Sequence, residues 1–395
     1  MRVPLLDLSE QYRTLAKPIR AEIDAVLASQ RFILGPQVEA FEKAICTYCG
    51  APHAIGVSSG TDALLAILMA FEIGGGDAVI TTAYTFFATA GCIARVGAKP
   101  VFVDIDPATG NISPAAIERY TAENCQANAD GGLKTKSGEK IRAIVPVHLF
   151  GLCSEMDAIH QISERYQLDV IEDAAQSIGV EYRFGERAAK AGTMGEVGYF
   201  SFYPSKNLGA AGDAGMIVCR DEELATRLRV LRQHGMESRY YHQVIGGNFR
   251  LDEIQAAILK VKLPYLDSWS AARRAAADFY RQEFTRLGLT KRIALPAEPH
   301  RNRGLTNHHI YHQYVIRTAK RDQLREQLAK REIDSAIYYP LGLHEQKCFS
   351  YLGYKKGDLP ETERAARETL ALPIYPELSR EAQRYVVGAI AKFFE

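Results

Sequence analysis

The sequence predicts an α/β protein with a large, mostly parallel sheet domain followed by a smaller α+β domain. Its 395 residues are enough for two domains. From residue 54 to residue 219, short apolar segments alternate with helix-like segments. A strand, a crossover helix and another strand in this order indicate parallel strands that are covered on both faces. From about residue 308 the alternation is lost, which indicates a second domain of another type.

Seven strands are predicted in the larger domain, and helices separate most of them. A helix over residues 20–49 comes first and is broken at Gly35-Pro36. The strands are predicted at residues 54–57, 78–81, 100–104, 143–148, 169–172, 198–202 and 215–219, and the helices at residues 62–71, 87–96, 114–123, 155–166 and 221–234. The polar segment 124–140 is rich in glycine and lysine, which predicts a surface loop.

The smaller domain is predicted to cover residues 266–395, after a larger domain of residues 1–265. A long helical segment over residues 250–286 spans this boundary. Beyond it we expect strands at residues 308–317 and 335–339 and helices at residues 320–331 and 379–394.

Composition and charge exclude several classes of function. The formal net charge is +1 and no basic run indicates a nucleic-acid binder. No apolar run reaches the ~18 residues of a membrane span. Asp7 and Glu10 argue against a signal peptide, so we expect a cytoplasmic protein. The seven cysteines are scattered, and the pair Cys46 and Cys49 alone is a weak zinc signal, so we expect no disulfide framework and no metal.

Three segments carry candidate functional residues. An apolar strand ends at Asp173, and ligands of open α/β sheets bind at the carboxyl ends of strands. Lys206 lies in a tight turn between aromatic residues and a glycine-rich run, where a lysine can form a Schiff base. The segment SSGTD at residues 58–62 joins a strand to a helix, whose N–H groups and dipole favour a phosphate. Taken singly, each has an ordinary alternative: a helix cap, a surface lysine or a plain helix start.

Together the three segments meet the needs of pyridoxal phosphate (PLP). The phosphate needs a helix N-terminus, the aldehyde needs an amine, and the pyridine nitrogen needs a carboxylate that keeps it protonated. An aromatic face for the ring is available in Thr85-Phe86-Phe87, just after the strand at residues 78–81.

Six motifs in order resemble the DegT/DnrJ/EryC1/StrS family of sugar aminotransferases. They are GTDAL at residues 60–64, YTFFAT at 84–89, VFVDID at 101–106, EDAAQS at 172–177, SFYPSKNLGAAGDAG at 201–215 and GGNFRLDEIQAA at 246–257. The resemblance extends from residue 4 to residue 378 and so covers almost the whole chain. It implies the fold-type I architecture of PLP enzymes, with a mixed, mostly parallel seven-stranded sheet and a smaller C-terminal domain.

The resemblance implies a role for each matching position. Lys206 would hold PLP as a Schiff base and move the proton, and Asp173 would pair with the pyridine nitrogen. The remaining cofactor contacts would come from the phosphate ligands Gly60, Thr61 and Ser201, from Phe86 on the ring and from Gln176 at the ring hydroxyl. Asn248 would reach the phosphate of the other subunit's cofactor, which implies a homodimer with shared active sites.

Candidates for substrate binding lie mainly in the last third of the chain. Arg250 would help to hold the substrate or a phosphate. On the predicted strand 308–317, His309 and Tyr311 share one face and His312 lies on the other, and we assign the first face to the substrate. His344 belongs to a segment that resembles the family's Y-P-x-x-L-H motif. Surface or core positions are the alternative for His309, Tyr311 and His312.

The resemblance implies a ping-pong transfer of an amino group to a nucleotide-linked keto sugar. Glutamate is the expected donor, and pyridoxamine phosphate is the intermediate form of the cofactor. Tyr203 and the GDAG run at residues 212–215 resemble the branch that aminates C3. A C4 aminotransferase, a cyclitol aminotransferase and a non-catalytic regulator stay open, while Lys206 and the cysteine spacing disfavour a dehydratase. The sugar, the nucleotide and the end product, for example a lipopolysaccharide, are not fixed by the sequence.

Overall fold

The computed structural model describes residues 1–127 and 131–395. The α-helices of this part are α1 Ser9–Ser29, α2 Pro36–Cys49, α3 Gly60–Ala70, α4 Phe87–Arg95, α5 Pro114–Asn124, α6 Met156–Tyr166, α7 Glu222–Leu231, α8 Glu253–Lys262, α9 Leu266–Arg286, α10 Arg321–Ala329, α11 Pro360–Glu368 and α12 Arg380–Phe394. The strands are β1 His53–Val57, β2 Asp77–Thr82, β3 Lys99–Val103, β4 Cys125–Ala127, β5 Leu133–Thr135, β6 Lys140–Val145, β7 Asp169–Asp173, β8 Glu181–Phe184, β9 Arg187–Lys190, β10 Val197–Ser201, β11 Gly215–Cys219, β12 Met236–Ser238, β13 Tyr241–His242, β14 Tyr314–Arg317 and β15 Thr369–Leu372.

The main sheet has the mixed, mostly parallel character that the sequence predicts. Its strands follow the order β1-β11-β10-β7-β6-β2-β3, and the five strands from β10 to β3 run parallel. β11 runs antiparallel to both of its neighbours, β1 and β10. The α/β prediction and its seven predicted strands are therefore confirmed.

Two short strands extend the sheet beyond the seven. β4 pairs with β5, and β5 pairs with the start of β6, which gives this sheet nine strands in the described part of the chain. The prediction of a loop over residues 124–140 is therefore wrong at 125–127 and 133–135, and residues 128–130 lie outside the described chain. Three-residue polar strands carry too little apolar alternation for the sequence to reveal them.

Helices cover both faces of the sheet. Successive strand residues point to opposite faces, so Ile80 joins the apolar cluster formed with α2, α6 and α8, while Val79 joins the cluster formed with α3 and α7. The parallel strands all end at one edge. Asp173 at the end of β7 and Ser201 at the end of β10 therefore lie at the same edge, where the start of α3 also lies.

The C-terminal part has a core of its own around α9, α10, α12 and the antiparallel pair β14–β15. The predicted strand 308–317 begins only at Tyr314, and the predicted strand 335–339 is reduced to an isolated bridge at Ala336. Tyr311 and Tyr339 adopt φ values of 46° and 56°, and this left-handed backbone interrupts an extended strand.

The division at residue 265 stays a prediction. It falls at the start of α9, directly after a short 3-10 turn that follows α8. Val3 bridges Ile333 and packs in the C-terminal core, although the predicted division places it in the larger domain. No helix of the described chain is long and apolar enough to cross a bilayer.

Candidate active site

The start of α3 lies directly against the end of β10. Ser59 caps the helix by accepting a hydrogen bond from the backbone N–H of Asp62 at 3.0 Å. A Cβ atom on Gly60 would lie 2.8 Å from the Cβ atom of Ser201, closer than real Cβ contacts allow. The first turn of α3 and the Ser201 side chain are therefore packed against each other, which places helix N–H groups and an O–H donor side by side for an anion. Thr61, the next residue of the helix, is half-buried there.

We expect Gly60→Ala to weaken PLP binding about tenfold, because overpacking of this kind costs about 1–3 kcal/mol. The added methyl group must push the start of α3 away from Ser201. Titration of PLP into cofactor-free protein, followed by absorbance, measures the change. Gly75→Ala is the matched control, since a Cβ atom at Gly75 meets nothing within 4 Å. An unchanged dissociation constant for Gly60→Ala would contradict the proposed phosphate site.

Asp173 is a buried carboxylate at the end of β7. Its Oδ2 accepts a hydrogen bond from the Thr89 hydroxyl at 2.8 Å, and its Oδ1 accepts one from the N–H of Ala175 at 3.2 Å. Thr89 lies in the first turn of α4, and the sequence analysis did not select it. A signal was present in the sequence, since Thr89 closes the YTFFAT motif, and in the structure its hydroxyl lies 3.3 Å from that of Thr85 in the same motif.

The neighbouring Glu172 points to the other side of the strand and is completely buried. Its Oε1 accepts hydrogen bonds from the N–H groups of Met194 and Gly195 at 2.5 and 2.7 Å. Its Oε2 accepts one from the N–H of Gly192 at 2.8 Å and lies 2.8 Å from Nε2 of His148. The Nδ1 atom of His148 accepts a hydrogen bond from the N–H of Ser154, so the ring proton is on Nε2. That N–H donates a hydrogen bond to Glu172. The backbone N–H of His148 donates to the Asp173 carbonyl, so the network fixes the strand end.

Glu172→Gln is expected to lower the free energy of unfolding by about 3 kcal/mol, because the amide NH₂ would face N–H donors in a buried site. Burial alone would raise the pKa of Glu172, but the His148 and backbone hydrogen bonds lower it below its ordinary 4.5. A lowered carboxyl pKa means that this stabilisation is present at neutral pH and is lost as the pH falls through that pKa.

Chemical denaturation of wild type and Glu172→Gln at pH 7 and near pH 4 measures both effects. The difference between the two proteins should shrink in acid. Glu118→Gln is the control, because Glu118 forms an exposed pair with Arg165 and should change stability by less than about 0.5 kcal/mol. Equal stability of Glu172→Gln and wild type at pH 7 would contradict the network.

Lys206 lies in a closed loop that follows β10. The backbone N–H of Ala210 donates to the Phe202 carbonyl, and that of Lys206 donates to the Tyr203 carbonyl, each at 2.8 Å. Gly209 is required because a Cβ atom there would lie 2.3 Å from the Pro204 carbonyl oxygen. Burial lowers the pKa of Lys206 to about 8, although the negative charge of Asp173 acts in the opposite direction. A substantial share of the amine is therefore neutral near physiological pH.

Gln176 connects the site to a wall of aromatic rings. Its Oε1 accepts from Phe150 N–H at 3.1 Å, and its Nε2 donates to the Tyr339 hydroxyl at 2.8 Å. The rings of Phe150 and Tyr339 stack with centroids 6.2 Å apart, and Tyr84 meets both rings edge-on. Phe86, by contrast, directly precedes α4 and is 61% exposed, so one aromatic ring remains available for another ring to stack on.

The residues present fit PLP. The N-terminus of α3 beside the Ser201 hydroxyl suits its phosphate, buried Asp173 suits a protonated pyridine nitrogen, and Lys206 suits its aldehyde. Within the described residues, no group of three His, Cys, Asp or Glu side chains is arranged to hold a metal ion.

Asn248 and Arg250 lie on the segment before α8. Asn248 is exposed and its backbone bridges that of Gln233, while Arg250 bridges Val57 at the end of β1. The segment thus passes beside the strand that leads into α3. The buried Nε atom of Arg250 has no hydrogen-bond partner in the described chain.

His309 and Tyr311 are buried and contact each other, and Tyr311 also contacts Glu298 and Tyr314. Their rings stack with centroids 3.8 Å apart, and the Tyr311 hydroxyl donates to Glu298 at 2.6 Å. The strand alternation that motivated them is wrong, because residues 308–313 are not a strand and Tyr311 has a left-handed backbone. Their assignment to the substrate stays a prediction.

His312 is the residue of this segment that approaches Lys206. Its Nδ1 lies 3.0 Å from Oδ1 of Asn207, the residue after Lys206. Burial, with the nearby positive charges of Lys206 and Arg273, holds the pKa of His312 well below its ordinary value, so its ring is neutral. On the predicted regular strand this histidine lies on the face opposite His309 and Tyr311, and the left-handed backbone at Tyr311 breaks that alternation.

His344 is also buried away from the Lys206 loop. Its Nε2 lies 3.5 Å from Oε1 of Glu363 in α11, and its ring meets Tyr354 edge-on. The backbone of the preceding Leu343 donates to the Ala83 carbonyl just after β2, so the segment docks on the larger part of the fold. A substrate role for His344 stays a prediction.

Known proteins resemble the chain over its whole length. A "Pleiotropic regulatory protein" from Geobacillus stearothermophilus is 49% identical over 395 residues, covering 100% of this chain and 99% of the relative. A "UDP-N-acetyl-3-dehydro-alpha-D-glucosamine 3-aminotranferase" from Acidithiobacillus ferrooxidans is 40% identical, covering 96% and 94%. The crystal structure of S. venezuelae DesV in complex with a ketimine intermediate has a TM-score of 0.89 at 37% identity, covering 100% and 99%.

The match to a family profile agrees with these likenesses. The profile described as the DegT/DnrJ/EryC1/StrS aminotransferase family matches residues 13–391. With the fold and a site that fits the cofactor, it identifies the chain as a member of the DegT/DnrJ/EryC1/StrS family and as an aminotransferase that uses PLP.

Proposed function

We propose that this protein transfers an amino group from glutamate to C3 of a nucleotide-linked 3-keto sugar. The observation that carries the proposal is that Lys206, whose pKa is lowered to about 8, and buried Asp173, whose charge acts on it, belong to one site that fits PLP. The name of the Acidithiobacillus relative supports C3 of a sugar linked to UDP. The SFYPSKNLGAAGDAG motif at residues 201–215 supports the same carbon.

Lys206 is the proton carrier in this proposal. Because its pKa is about 8, the Nζ atom of Lys206 is neutral in a useful fraction of molecules and could act as a base when it is not attached to the cofactor. It would move the proton from the α-carbon of the donor to the cofactor carbon that carries the amino group, and in the second half of the reaction it would move a proton from that carbon to the sugar carbon. The titratable groups that face this Nζ atom are Asp173, which is an anion, and His312, whose ring is neutral. Neither of them places a second positive charge beside the amine.

Asp173 supplies the charge that the reaction needs. When bound, PLP withdraws electrons from the carbon that loses its proton, provided that the pyridine nitrogen stays protonated. A buried carboxylate with two fixed hydrogen-bond donors, Thr89 and the Ala175 N–H, is held in one position to pair with that nitrogen. The wall of Phe150, Tyr339 and Tyr84 screens the Gln176 side from water.

The protein is proposed to act as a homodimer in the cytoplasm. The β12–β13 hairpin and the residues after it expose Tyr240, Tyr241 and Ile245 at 76%, 69% and 89%, an apolar surface that a second copy could cover. Asn248 follows directly, which supports its proposed reach toward the other subunit's phosphate. All seven cysteines are free, as is usual in a reducing compartment.

Two measurements test the proposal. The absorption spectrum of the PLP-loaded protein is followed while glutamate is added, and conversion of the Schiff-base band to that of pyridoxamine phosphate is expected together with release of 2-oxoglutarate. The pyridoxamine form is then mixed separately with UDP- and dTDP-linked 3-keto and 4-keto sugars and with a cyclic polyol ketone. An amine at C3 supports the proposal, whereas amination only at C4 or only of a cyclic polyol ketone would overturn it.

A regulatory function is the second candidate, because the name of the Geobacillus relative at 49% identity describes a regulatory protein. A non-catalytic protein with this fold would show no spectral change with any amino donor. Conversion of glutamate by the purified chain would exclude a purely regulatory protein.

A further inference from the structure

Helix α8 carries a buried lysine that the proposed chemistry does not use. Lys262 is 9% exposed, and its ammonium donates a hydrogen bond of 2.6 Å to the Gly209 carbonyl. In the described part of the chain no carboxylate forms an ion pair with it, and burial lowers the pKa of Lys262 to about 8. An ammonium group that is buried against a single carbonyl lowers the stability of the fold. A methionine of similar length at this position would make the core more stable.

The acceptor of this hydrogen bond belongs to the loop that presents Lys206. Gly209 is the residue whose close approach to Pro204 closes the loop. Gln255, seven residues before Lys262 and on the same side of α8, accepts a hydrogen bond of 2.9 Å from the N–H of Ala211. Two side chains of α8 therefore bind the backbone near the end of the same loop, one at the carbonyl of Gly209 and one at the N–H of Ala211.

The helix that holds the loop is itself fixed. Glu253 in its first turn is buried and accepts hydrogen bonds from the N–H groups of Gly35, Gln37 and Val38, at 2.6, 2.9 and 3.0 Å, so it caps α2. Ala256 and Leu259 of α8 pack in the core with Phe202 and Leu208 from the two sides of Lys206. α8 can therefore act as a rigid support for the loop.

We propose that Lys262 and Gln255 form a clamp that holds the Lys206 loop, residues 203–211, against α8 and so fixes the position of the Lys206 amine. Lys262 and Gln255 are positioning residues in this proposal, because they act through the loop. The proposal rests on the proposed function only for the role of Lys206, since the clamp itself is independent of any cofactor.

The clamp is tested by the reactivity of Lys206 in cofactor-free, full-length protein. Trace labelling with acetic anhydride across a pH series, read by mass spectrometry of the Lys206 peptide, gives the midpoint at which the amine becomes reactive. Burial sets that midpoint, while Asp173 and neutral His312 are the groups that face the amine. If Lys262→Met frees the loop, Lys206 gains water and its midpoint rises by about one pH unit toward the ordinary lysine value.

Three further variants make the result specific. Lys262→Arg keeps the cation and should restore most of the wild-type midpoint. Gln255→Ala removes the second, half-exposed contact and should raise the midpoint by a smaller amount. Lys260→Met is the matched control, because Lys260 lies on the same helix but pairs with Glu22 at 3.1 Å, and it should leave the midpoint unchanged.

The outcomes separate the clamp from the proposed function. A folded Lys262→Met protein with the wild-type midpoint would overturn the clamp, even if the enzyme transaminates. If Lys262→Met does not fold, Gln255→Ala decides, and a wild-type midpoint in that variant overturns the proposal. A raised midpoint in a protein that never binds PLP would leave the clamp intact and remove only the proposed function.

Discussion

Replacing Lys206 with alanine is expected to lower the rate of amino transfer at least about a thousandfold, since a positioned acid–base group contributes about 10²–10⁴-fold and the Schiff-base attachment is lost as well. Lys206 is the amine that the site holds opposite Asp173, with its pKa lowered to about 8. The measurement is a single half-reaction, in which PLP-loaded protein is mixed with glutamate and 2-oxoglutarate is quantified.

Two comparisons show whether the loss is chemical. Lys206→Arg keeps a positive charge in the loop, but a guanidinium stays protonated and forms no Schiff base, so it should be as inactive as the alanine variant. A small primary amine added to Lys206→Ala should restore part of the rate, because it can occupy the vacated space and carry the proton. Wild-type turnover in either variant would show that another group is the base.

The sequence alone predicts the parts of the site whose positions follow from the order of strands and helices along the chain. Asp173 and Ser201 end strands, and Gly60 begins a helix, so the edge at which they meet follows from a parallel arrangement of the strands. The same reasoning brought Lys206 to that edge, because its loop follows β10 directly.

Residues that depend on an irregular backbone were not predictable in this way. His312 meets Asn207 beside Lys206 in a stretch where Tyr311 has a left-handed backbone, and the strand predicted over residues 308–317 gave no sign of this contact. Side chains alternate between two faces only while the backbone is extended. Nothing in the sequence HHIYHQYVIR marks the residue at which the extended strand begins.

Contacts between distant parts of the chain form the other group that the sequence did not reveal. Lys262 and Gly209 are separated by 53 residues, and Glu253 and Gly35 by 218. The motif GGNFRLDEIQAA contains Glu253 and Gln255. The sequence of the motif does not reveal that Glu253 caps α2 or that Gln255 binds the Lys206 loop. A motif therefore locates important residues, while their partners have to come from the fold.

Thr89 shows how such a partner bears on the chemistry at Asp173. Its hydroxyl donates to Oδ2 at 2.8 Å and so leaves the carboxylate with one fixed orientation. A hydrogen bond to a charged group contributes about 1.5–3 kcal/mol, so Thr89→Val should reduce turnover about tenfold or somewhat more by loosening that orientation.

Asp173→Asn is expected to reduce turnover far more, by about 10²–10⁴-fold, because a neutral amide cannot hold the pyridine nitrogen in its protonated form. The substitution keeps the size of the side chain, and the proposed PLP contacts at Gly60, Ser201 and Lys206 are unchanged. We therefore expect the variant to bind PLP and to show the Schiff-base absorption, while its conversion by glutamate becomes slow. That combination separates loss of electron withdrawal from loss of the cofactor.

Stopped-flow absorbance of the glutamate half-reaction measures the rate of conversion, with Thr89→Val as the intermediate case. If Asp173→Asn converts glutamate at the rate of the wild type, the charge of Asp173 is not what drives the reaction, and the pairing with the pyridine nitrogen has to be abandoned.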